Sequence, residues 1–153
     1  MNPWLYQNNP ITSIDQVPEK SLGFVYRIIY SKTGQIYIGR KLLYGNKIKT
    51  INKKKKKIKV ESDWLTYHSS SPTIKSIIEL EGHDVFTREI LLFVQSKGEL
   101  LYLEEDILHH TNALINPNYI NDNIRSKIYR NWVKREEFQK DIIELKRKLV
   151  SSK

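Results

Sequence analysis

One stretch, from Gly23 to Lys41, restricts the fold of this chain more than any other, because it has the pattern of two β-strands joined by a tight turn. Its two halves are rich in β-branched and aromatic residues, which favour strands. Between them lies Ser-Lys-Thr-Gly at positions 31–34. A short polar turn that ends in glycine is typical of hairpins. The sequence therefore predicts a β-hairpin here.

The predicted hairpin brings two tyrosines together. Its register follows from the turn, across which Tyr30 pairs with Gln35, so that Tyr26 lies opposite Gly39. Side chains two residues apart share a face of a strand, and Tyr37 therefore lies on the face of Tyr26. The glycine leaves space where a ligand backbone could approach. Two tyrosines beside basic residues suit a phosphate, although such pairs also occur in ordinary cores and on surfaces.

The length and composition indicate one domain. Its 153 residues are enough to bury a hydrophobic core. The chain has no cysteine, which excludes disulfides and thiolate metal sites and favours a reducing compartment. No apolar run reaches the length of a membrane span. We therefore expect a soluble cytoplasmic protein without a membrane partner.

The excess of basic residues predicts a polyanionic partner. The chain has 26 lysine and arginine residues against 17 acidic ones, which gives a formal net charge of +9. Such a surplus favours nucleic acid over an acidic substrate or an apolar ligand.

Many of the lysines crowd into one segment. They are Lys47, Lys49, Lys53, Lys54, Lys55, Lys56, Lys57 and Lys59. Like charges at this density repel each other, so Gly45 to Lys59 is predicted to be a mobile loop, part of a basic insertion at residues 45–60. Either this loop is solvated and has no partner, or its ammonium groups, above all those of residues 53–57, contact DNA phosphates without reading sequence.

The rest of the chain predicts a mixed order of helices and strands. The predicted elements are an N-terminal arm at residues 1–22, a helix from Ser71-Pro72 to Gly82, a strand from Phe86 to Val94, a second helix from about Glu99 to Leu114, and a C-terminal segment 126–153 with a basic amphipathic helix from about Ser126 to Val150. Serine followed by proline is a strong helix start, and glycine is a common helix end. The third strand is apolar enough to be central in a sheet.

The second predicted helix places a carboxylate in an apolar stripe. At about 100° per residue, several mostly apolar residues fall within about 60° of Glu104, whereas Glu105 points away. They are Leu100, Leu101, Ile107, Leu108 and Thr111. A glutamate in such a stripe is costly unless it is neutralised, paired or bound to a cation. Glu104 is therefore either a rim residue paired with a lysine or arginine, or a ligand of Mg²⁺.

Phe24-Val25-Tyr26 followed by Tyr37-Ile38-Gly39 resembles the opening motif of the GIY-YIG nucleases. The later motifs, in the order of phage-encoded members of that family, are Glu61-Ser62-Asp63-Trp64, Tyr67, Ser69-Ser70, Phe86-Thr87-Arg88-Glu89-Ile90-Leu91, Tyr102-Leu103-Glu104 and Tyr119-Ile120-Asn121. The resemblance covers residues 23–125 and implies an α+β fold, with a small antiparallel three-stranded sheet (the hairpin plus a central strand) flanked by helices. It also implies a homing or restriction-like endonuclease that cuts double-stranded DNA with Mg²⁺ or Mn²⁺.

By position, the resemblance assigns roles to single residues. It matches Tyr26 and Tyr37 to the motif tyrosines, Gly39 to the motif glycine, Glu104 to the metal-binding glutamate and Asn121 to the late asparagine beside the site. Under the implied reaction, Tyr26 acting with Tyr37 takes a proton from the attacking water, and a nearby cation lowers the tyrosine pKa.

The essential arginine of the family has no counterpart at its usual place, about a helical turn beyond the second motif. Arg40 is the nearest guanidinium, and it can bind two phosphate oxygens at once, which an ammonium cannot do. Strand alternation nevertheless puts Lys41, and not Arg40, on the tyrosine face. Both are candidates, with Arg40 preferred. Tyr67 and His68 are predicted to contact DNA.

Two other functions stay open. One is a nucleic-acid-binding module of the same fold that has lost catalysis. The other is an adaptor that docks partners through the last helix, although the apolar stripe of such a helix more often covers the protein's own core. Few residues follow Asn121, so sequence specificity would come from the last helix, the lysine loop or a homodimer.

Overall fold

The fold is a mixed β-sheet with helices on both faces and a separate two-stranded ribbon. The computed structural model describes residues 1–124 and 130–151. Its strands are β1 (Trp4–Tyr6), β2 (Asn9–Ile11), β3 (Gly23–Tyr30), β4 (Ile36–Leu42), β5 (Tyr44–Ile51), β6 (Lys54–Glu61) and β7 (Phe86–Val94). Its α-helices are α1 (Pro72–Glu81), α2 (Lys97–His110) and α3 (Glu136–Ser151). None of the described helices is long and apolar enough to cross a membrane.

The main sheet has the strand order β2-β1-β7-β3-β4. β3 is antiparallel to both β4 and β7, and these are the three strands that the sequence predicts. β1 adds to the other side of β7 in parallel. The predicted α+β class is confirmed, and the three predicted strands pair antiparallel as expected. The sheet has five strands and not three, because the N-terminal residues add β1, which is parallel to β7, and β2.

The N-terminal residues join the sheet through a tight hairpin of their own. Gln7 and Asn8 adopt positive φ angles of 50° and 66°, which closes a two-residue turn between β1 and β2. Trp4 of β1 is the register partner of Arg88 of β7, and its side chain is completely buried. Strands of three residues are too short to show an alternating pattern, and for this reason the sequence indicates only an arm.

The central hairpin has the register that the sequence predicts. The backbone N–H of Tyr30 donates to the carbonyl of Gln35 at 2.8 Å, and Tyr26 lies opposite Gly39. Gly34 closes the turn with a φ of 75°, a conformation that glycine adopts without strain. The register is fixed by this turn, so the local sequence was sufficient to predict it.

The lysine-rich segment is a β-hairpin and not the predicted mobile loop. β5 and β6 pair with each other over eight residues each, and Asn52 and Lys53 form the turn with φ angles of 51° and 62°. A two-residue turn with both φ angles positive matches the twist of a hairpin. We call residues 44–61 the lysine ribbon. Repulsion among the lysines was expected to prevent regular structure here, but the two strands pair along their whole length.

The first helix begins and ends as predicted, whereas the other two differ. The Ser71 side chain caps α1 by accepting a hydrogen bond from the backbone N–H of Ile74, and Gly82 ends it. α2 stops at His110, four residues before the predicted end. α3 starts at Glu136; of the predicted earlier turns, residues 125–129 lie outside the described residues and Arg130–Trp132 is a short 3₁₀ turn.

The sheet separates two hydrophobic cores. One contains Trp4, Phe24, Tyr26 and Trp64 together with Ile74 of α1. The other lies under α2 and α3 and includes Phe138 and Ile142, which are 0% and 7% exposed. The apolar stripe of α3 therefore covers the protein's own core, which weakens the adaptor hypothesis.

Candidate active site

Six of the predicted site residues meet in one cleft beside β4, the edge strand of the main sheet. The cleft has a volume of about 340 Å³. These residues are Tyr26, Tyr37, Arg40, Tyr67, Glu104 and Asn121. The cleft runs around the edge of the strand, so side chains from both faces of the sheet reach it.

Three tyrosines form one wall of the cleft. The ring centre of Tyr26 lies 6.4 Å from that of Tyr37 and 6.1 Å from that of Tyr67. Tyr26 is 1% exposed, whereas Tyr37 is only partly buried. Tyr37 is therefore the phenol more open to a bound molecule.

Gly39 makes room for a tyrosine and not for a ligand backbone, which corrects the expectation from the sequence. A Cβ atom at this position would lie 2.4 Å from the Tyr26 hydroxyl oxygen and 2.9 Å from Cε1 of Tyr37. The Tyr26 ring is held in place by the rings of Trp4 and Phe24 and cannot easily move aside. The motif glycine thus lets the two phenols approach the strand.

Replacing Gly39 with alanine should reduce the DNA cleavage that the sequence resemblance implies by at least about tenfold, because the new methyl group displaces both phenols from the cleft. The rate of plasmid cleavage and the melting temperature are the measurements. Gly45→Ala is the matched control, since a Cβ there meets nothing within 4 Å. Equal activity of the Gly39 and Gly45 variants would contradict this account of the motif glycine.

Burial raises the pKa of the cleft tyrosines. The pKa of Tyr26 lies well above its ordinary value because of desolvation, with further increases from Tyr67, Tyr37 and Glu104. The pKa of Tyr37 is also raised, first by desolvation, although its interaction with the Ser70 side chain lowers it in part. Neither Arg40 nor Lys41 is among the causes of these shifts, so a cation that lowers a tyrosine pKa during the reaction stays a prediction.

Arg40 and Glu104 form the opposite wall as an ion pair. The guanidinium Nη1 of Arg40 lies 2.6 Å from the carboxylate Oε1 of Glu104, whose side chain is 14% exposed. Strand alternation puts Arg40 on the face away from the tyrosines, as predicted, and it reaches the cleft over the strand edge. Burial raises the pKa of Glu104 more than Arg40 lowers it.

Lys41 shares the face of the tyrosines but is held elsewhere. Its ammonium lies 2.5 Å from the Asp63 carboxylate and 4.1 Å from the ring centre of Tyr67. The structure does not place it among the residues that line the cleft. Lys41 thus supports the position of Tyr67, and of the described residues that line the cleft Arg40 is the cation.

Asn121 is fixed to the edge strand by its side chain. Its amide oxygen accepts from the backbone N–H of Ile38 at 2.9 Å, and its amide nitrogen donates to the carbonyl of the same residue at 2.7 Å. These bonds satisfy backbone groups that an edge strand otherwise leaves to water. Asn121 therefore closes one end of the cleft beside Tyr37.

Arg88 positions the tyrosine wall and was not singled out from the sequence. Its guanidinium is 1% exposed and donates to the carbonyls of Leu65 and Tyr67, each at 2.9 Å, and to that of Asn2 at 2.7 Å. The bonds tie the segment before Tyr67 to the N-terminus. An arginine at an inward position of an apolar strand was the available signal, because such a residue needs several acceptors.

His68 does not reach the cleft, although the sequence predicted that it contacts DNA. It is 6% exposed, its Nδ1 lies 3.1 Å from the carbonyl of Thr66, and its ring centre lies 4.5 Å from that of His83. Burial, together with the nearby Arg88 charge, lowers the pKa of His68 to about 4. The ring is therefore neutral at pH 7 and buried away from a phosphate.

Acidification should destabilise the fold through His68. Between pH 6.5 and 4 the unfolded chain binds a proton at this position that the folded chain does not, so the free energy of unfolding falls as the pH falls. The lowered pKa of His68 corresponds to a loss of about 3 kcal/mol in the free energy of unfolding once both states are protonated. Urea unfolding at pH 7 and pH 4.5 measures most of this loss. His68→Gln should lose much of the dependence, and His109→Gln, an exposed histidine, should retain it.

A magnesium ion that is bound mainly through substrate fits the cleft. No cluster of three or more histidine, aspartate or glutamate side chains among the described residues could hold a metal ion. Mg²⁺ in phosphoryl-transfer sites is nevertheless held by one or two carboxylates, with water and substrate phosphates as the other ligands. Glu104 is the one carboxylate among the described residues that line the cleft. The donor set suits such an ion and does not suit an all-protein metal centre.

Comparison with known proteins identifies one family. The family model described as "Putative endonuclease segE, GIY-YIG domain" matches residues 4–124, well over half of the chain. Neither a curated protein nor a solved structure gives a match. The matched region begins at β1 and ends beyond Asn121, so it contains every described residue that lines the cleft.

Proposed function

Because the chain belongs to the GIY-YIG family of endonuclease domains, we propose that it hydrolyses phosphodiester bonds of double-stranded DNA with a divalent metal ion. The observation that best supports this proposal is the cleft itself. It combines phenols, a guanidinium and one largely buried carboxylate along a single strand edge. General-base, anion-binding and metal-binding groups are the parts that phosphodiester hydrolysis needs.

In the proposed reaction Tyr37 takes the proton from the attacking water. Of the two motif phenols it is the more exposed, and the Ser70 side chain partly offsets the burial that raises its pKa. Tyr26 lies behind it, buried against Gly39, and keeps the Tyr37 ring in place. Since burial raises the pKa of both phenols, a base here needs additional positive charge when substrate is bound.

Arg40 is proposed to bind the scissile phosphate. Its side chain is 40% exposed, so it can leave Glu104 at low cost and form charge-assisted hydrogen bonds to phosphate oxygens. Release of Arg40 also frees the Glu104 carboxylate. Glu104 would hold a divalent ion, which would supply positive charge to stabilise the phosphate and to lower the pKa of water and phenols beside it.

The decisive experiment incubates the pure protein with supercoiled plasmid in Mg²⁺ and in EDTA. Nicked or linear plasmid that appears only with Mg²⁺ is the expected result, and the same assay with Mn²⁺ tests the choice of metal. Tight DNA binding without cleavage by either metal would favour the alternative function, a nucleic-acid-binding module without catalysis. The Arg40–Glu104 ion pair is the observation that supports this alternative, because it neutralises the carboxylate without a metal.

The finer assignment, a phage-type homing or restriction-like endonuclease, rests on the order of the sequence motifs and stays a prediction. The cytoplasmic location, which rests on the absence of cysteine, stays one as well. A homodimer would supply a second cleft for the opposite DNA strand. The ratio of nicked to linear plasmid at early times tests this, because a monomer with one cleft cuts one strand at a time.

A further inference from the structure

The lysine ribbon carries eight lysines and lies outside the proposed catalytic cleft. Its strands pair only with each other, so the ribbon is not part of the main sheet. Side chains of opposed residues share a face, and the register therefore divides the strand lysines into two sets. Face 1 carries Lys47, Lys49, Lys54 and Lys56, and face 2 carries Lys55, Lys57 and Lys59. All seven are exposed.

The ribbon lacks internal neutralisation of its charge. Among the described residues, no ion pair involves any of these seven lysines, and Lys59 alone has a cation–π contact, with Tyr44 at 4.0 Å. Lys49 lies directly opposite Lys56, and like charges at opposed positions of a hairpin are destabilising. A polyanion that binds both faces would remove this repulsion.

The dimensions of the ribbon match one groove of duplex DNA. Strands of eight residues extend about 27 Å. The major groove of B-DNA is about 12 Å wide and admits a two-stranded ribbon, whereas the minor groove is about 6 Å wide and does not. A ribbon that lay across a single phosphate backbone would need lysines on one face only.

We propose that the lysine ribbon inserts into the major groove of double-stranded DNA, where the lysines of its two faces contact the phosphates of the two opposite walls. This inference rests on the proposed function, since it takes duplex DNA as the substrate. The DNA-contacting element is therefore a folded arm, and not the mobile basic loop that the sequence predicted. It lies in the groove between the two phosphate backbones of the duplex.

The base of the ribbon connects groove binding to the cleft. Leu43, between β4 and β5, is completely buried, and its backbone N–H donates to the carbonyl of Leu22. At the same end, where β6 leaves the ribbon, the Ser62 hydroxyl donates to the carbonyl of Leu42 at 2.6 Å. The ribbon thus continues directly from the strand that carries Tyr37 and Arg40. Its place in the groove would set which phosphate enters the cleft.

Salt-dependent binding of a short duplex tests the inference. All proteins carry Glu104→Gln, so the duplex stays intact. In one variant the four lysines of face 1 become serine, and in another the three of face 2. Each lost phosphate contact should reduce the slope of log affinity against log salt by about 0.9. Both variants should therefore bind more weakly and show smaller slopes, and lysine-to-arginine versions should restore both properties.

The control replaces three exposed lysines outside the ribbon, Lys20, Lys75 and Lys140, with serine. It removes as much charge as the face 2 variant and should change the slope less. An effect of only one face would mean that the ribbon lies on the outside of a single backbone, and no effect of either face would mean that it does not bind DNA. Either result would overturn the inference.

Dimethyl sulfate footprinting identifies the groove, because the reagent methylates guanine N7 in the major groove and adenine N3 in the minor groove. The Glu104→Gln protein should protect guanines, and the combined variant of both faces should lose this protection. Unprotected guanines would refute groove insertion. Because binding is measured without cleavage, a wild-type protein that fails to cut DNA would contradict the proposed function while the footprint still decides the ribbon's role.

Discussion

Glu104→Gln should reduce DNA cleavage by at least about a hundredfold while DNA binding persists. The substitution keeps the shape of the side chain and removes the negative charge that the proposed metal ion needs. It also leaves Arg40 without its partner, but a guanidinium that is 40% exposed is stabilised by water, so the melting temperature should change little. Plasmid cleavage and duplex affinity, measured on the same preparation, give the two readouts.

Glu105→Gln is the matched control, because Glu105 lies next to Glu104 on α2 and does not line the cleft. It should cleave at the wild-type rate. Metal-dependent cleavage at the normal rate by pure Glu104→Gln protein would remove Glu104 from the active site. Loss of binding together with cleavage would instead indicate that Glu104 positions Arg40.

Tyr37→Phe and Tyr26→Phe should each lower the cleavage rate, with the larger loss at Tyr37. Loss of a general base costs about a hundredfold to ten-thousandfold. Phenylalanine keeps the ring contacts among the tyrosines, so unfolding free energies should change by about 1 kcal/mol or less. Single-turnover cleavage rates measured from pH 6 to 9 separate the two residues, since loss of the base should also change the pH profile.

Tyr30→Phe is the control on the same strand and face. Its hydroxyl donates to the Glu81 carboxylate at the far end of the hairpin, so its removal should affect stability slightly and cleavage not at all. If Tyr30→Phe impaired cleavage as much as the other two, or if both motif variants stayed fully active, the tyrosine wall would not be the catalytic surface.

The parts of the fold that the sequence predicted correctly are those that short stretches determine. The Ser-Lys-Thr-Gly turn fixes the central register, and Ser71, Pro72 and Gly82 fix the limits of α1. The two short N-terminal strands depend instead on β7, more than 80 residues away, to which β1 pairs. The lysine ribbon was missed for another reason, because Asn52-Lys53 closes its turn without the glycine that usually indicates one.

The same distinction applies to the site. The order of the motifs was sufficient to predict that Tyr26, Tyr37 and Glu104 belong to one site. Each lies on a strand or helix whose apolar residues repeat with the regular spacing of that element. Burial was not predictable from spacing, so neither the raised pKa values of the tyrosines nor the burial of His68 was expected from the sequence. Arg88 acts through three carbonyl acceptors from two distant segments, which no local pattern shows.

The bonds of Arg88 also determine when the cleft can form during synthesis. Its guanidinium joins the carbonyls of Asn2 and Tyr67, and Trp4 pairs beside it, so these segments are fixed only after β7 has left the ribosome. A hairpin with a two-residue turn closes in microseconds, whereas translation adds about 5–20 residues per second. The residues of the ribbon therefore have seconds in which to pair before β7 is complete, whereas the tyrosine wall of the cleft cannot be fixed until then.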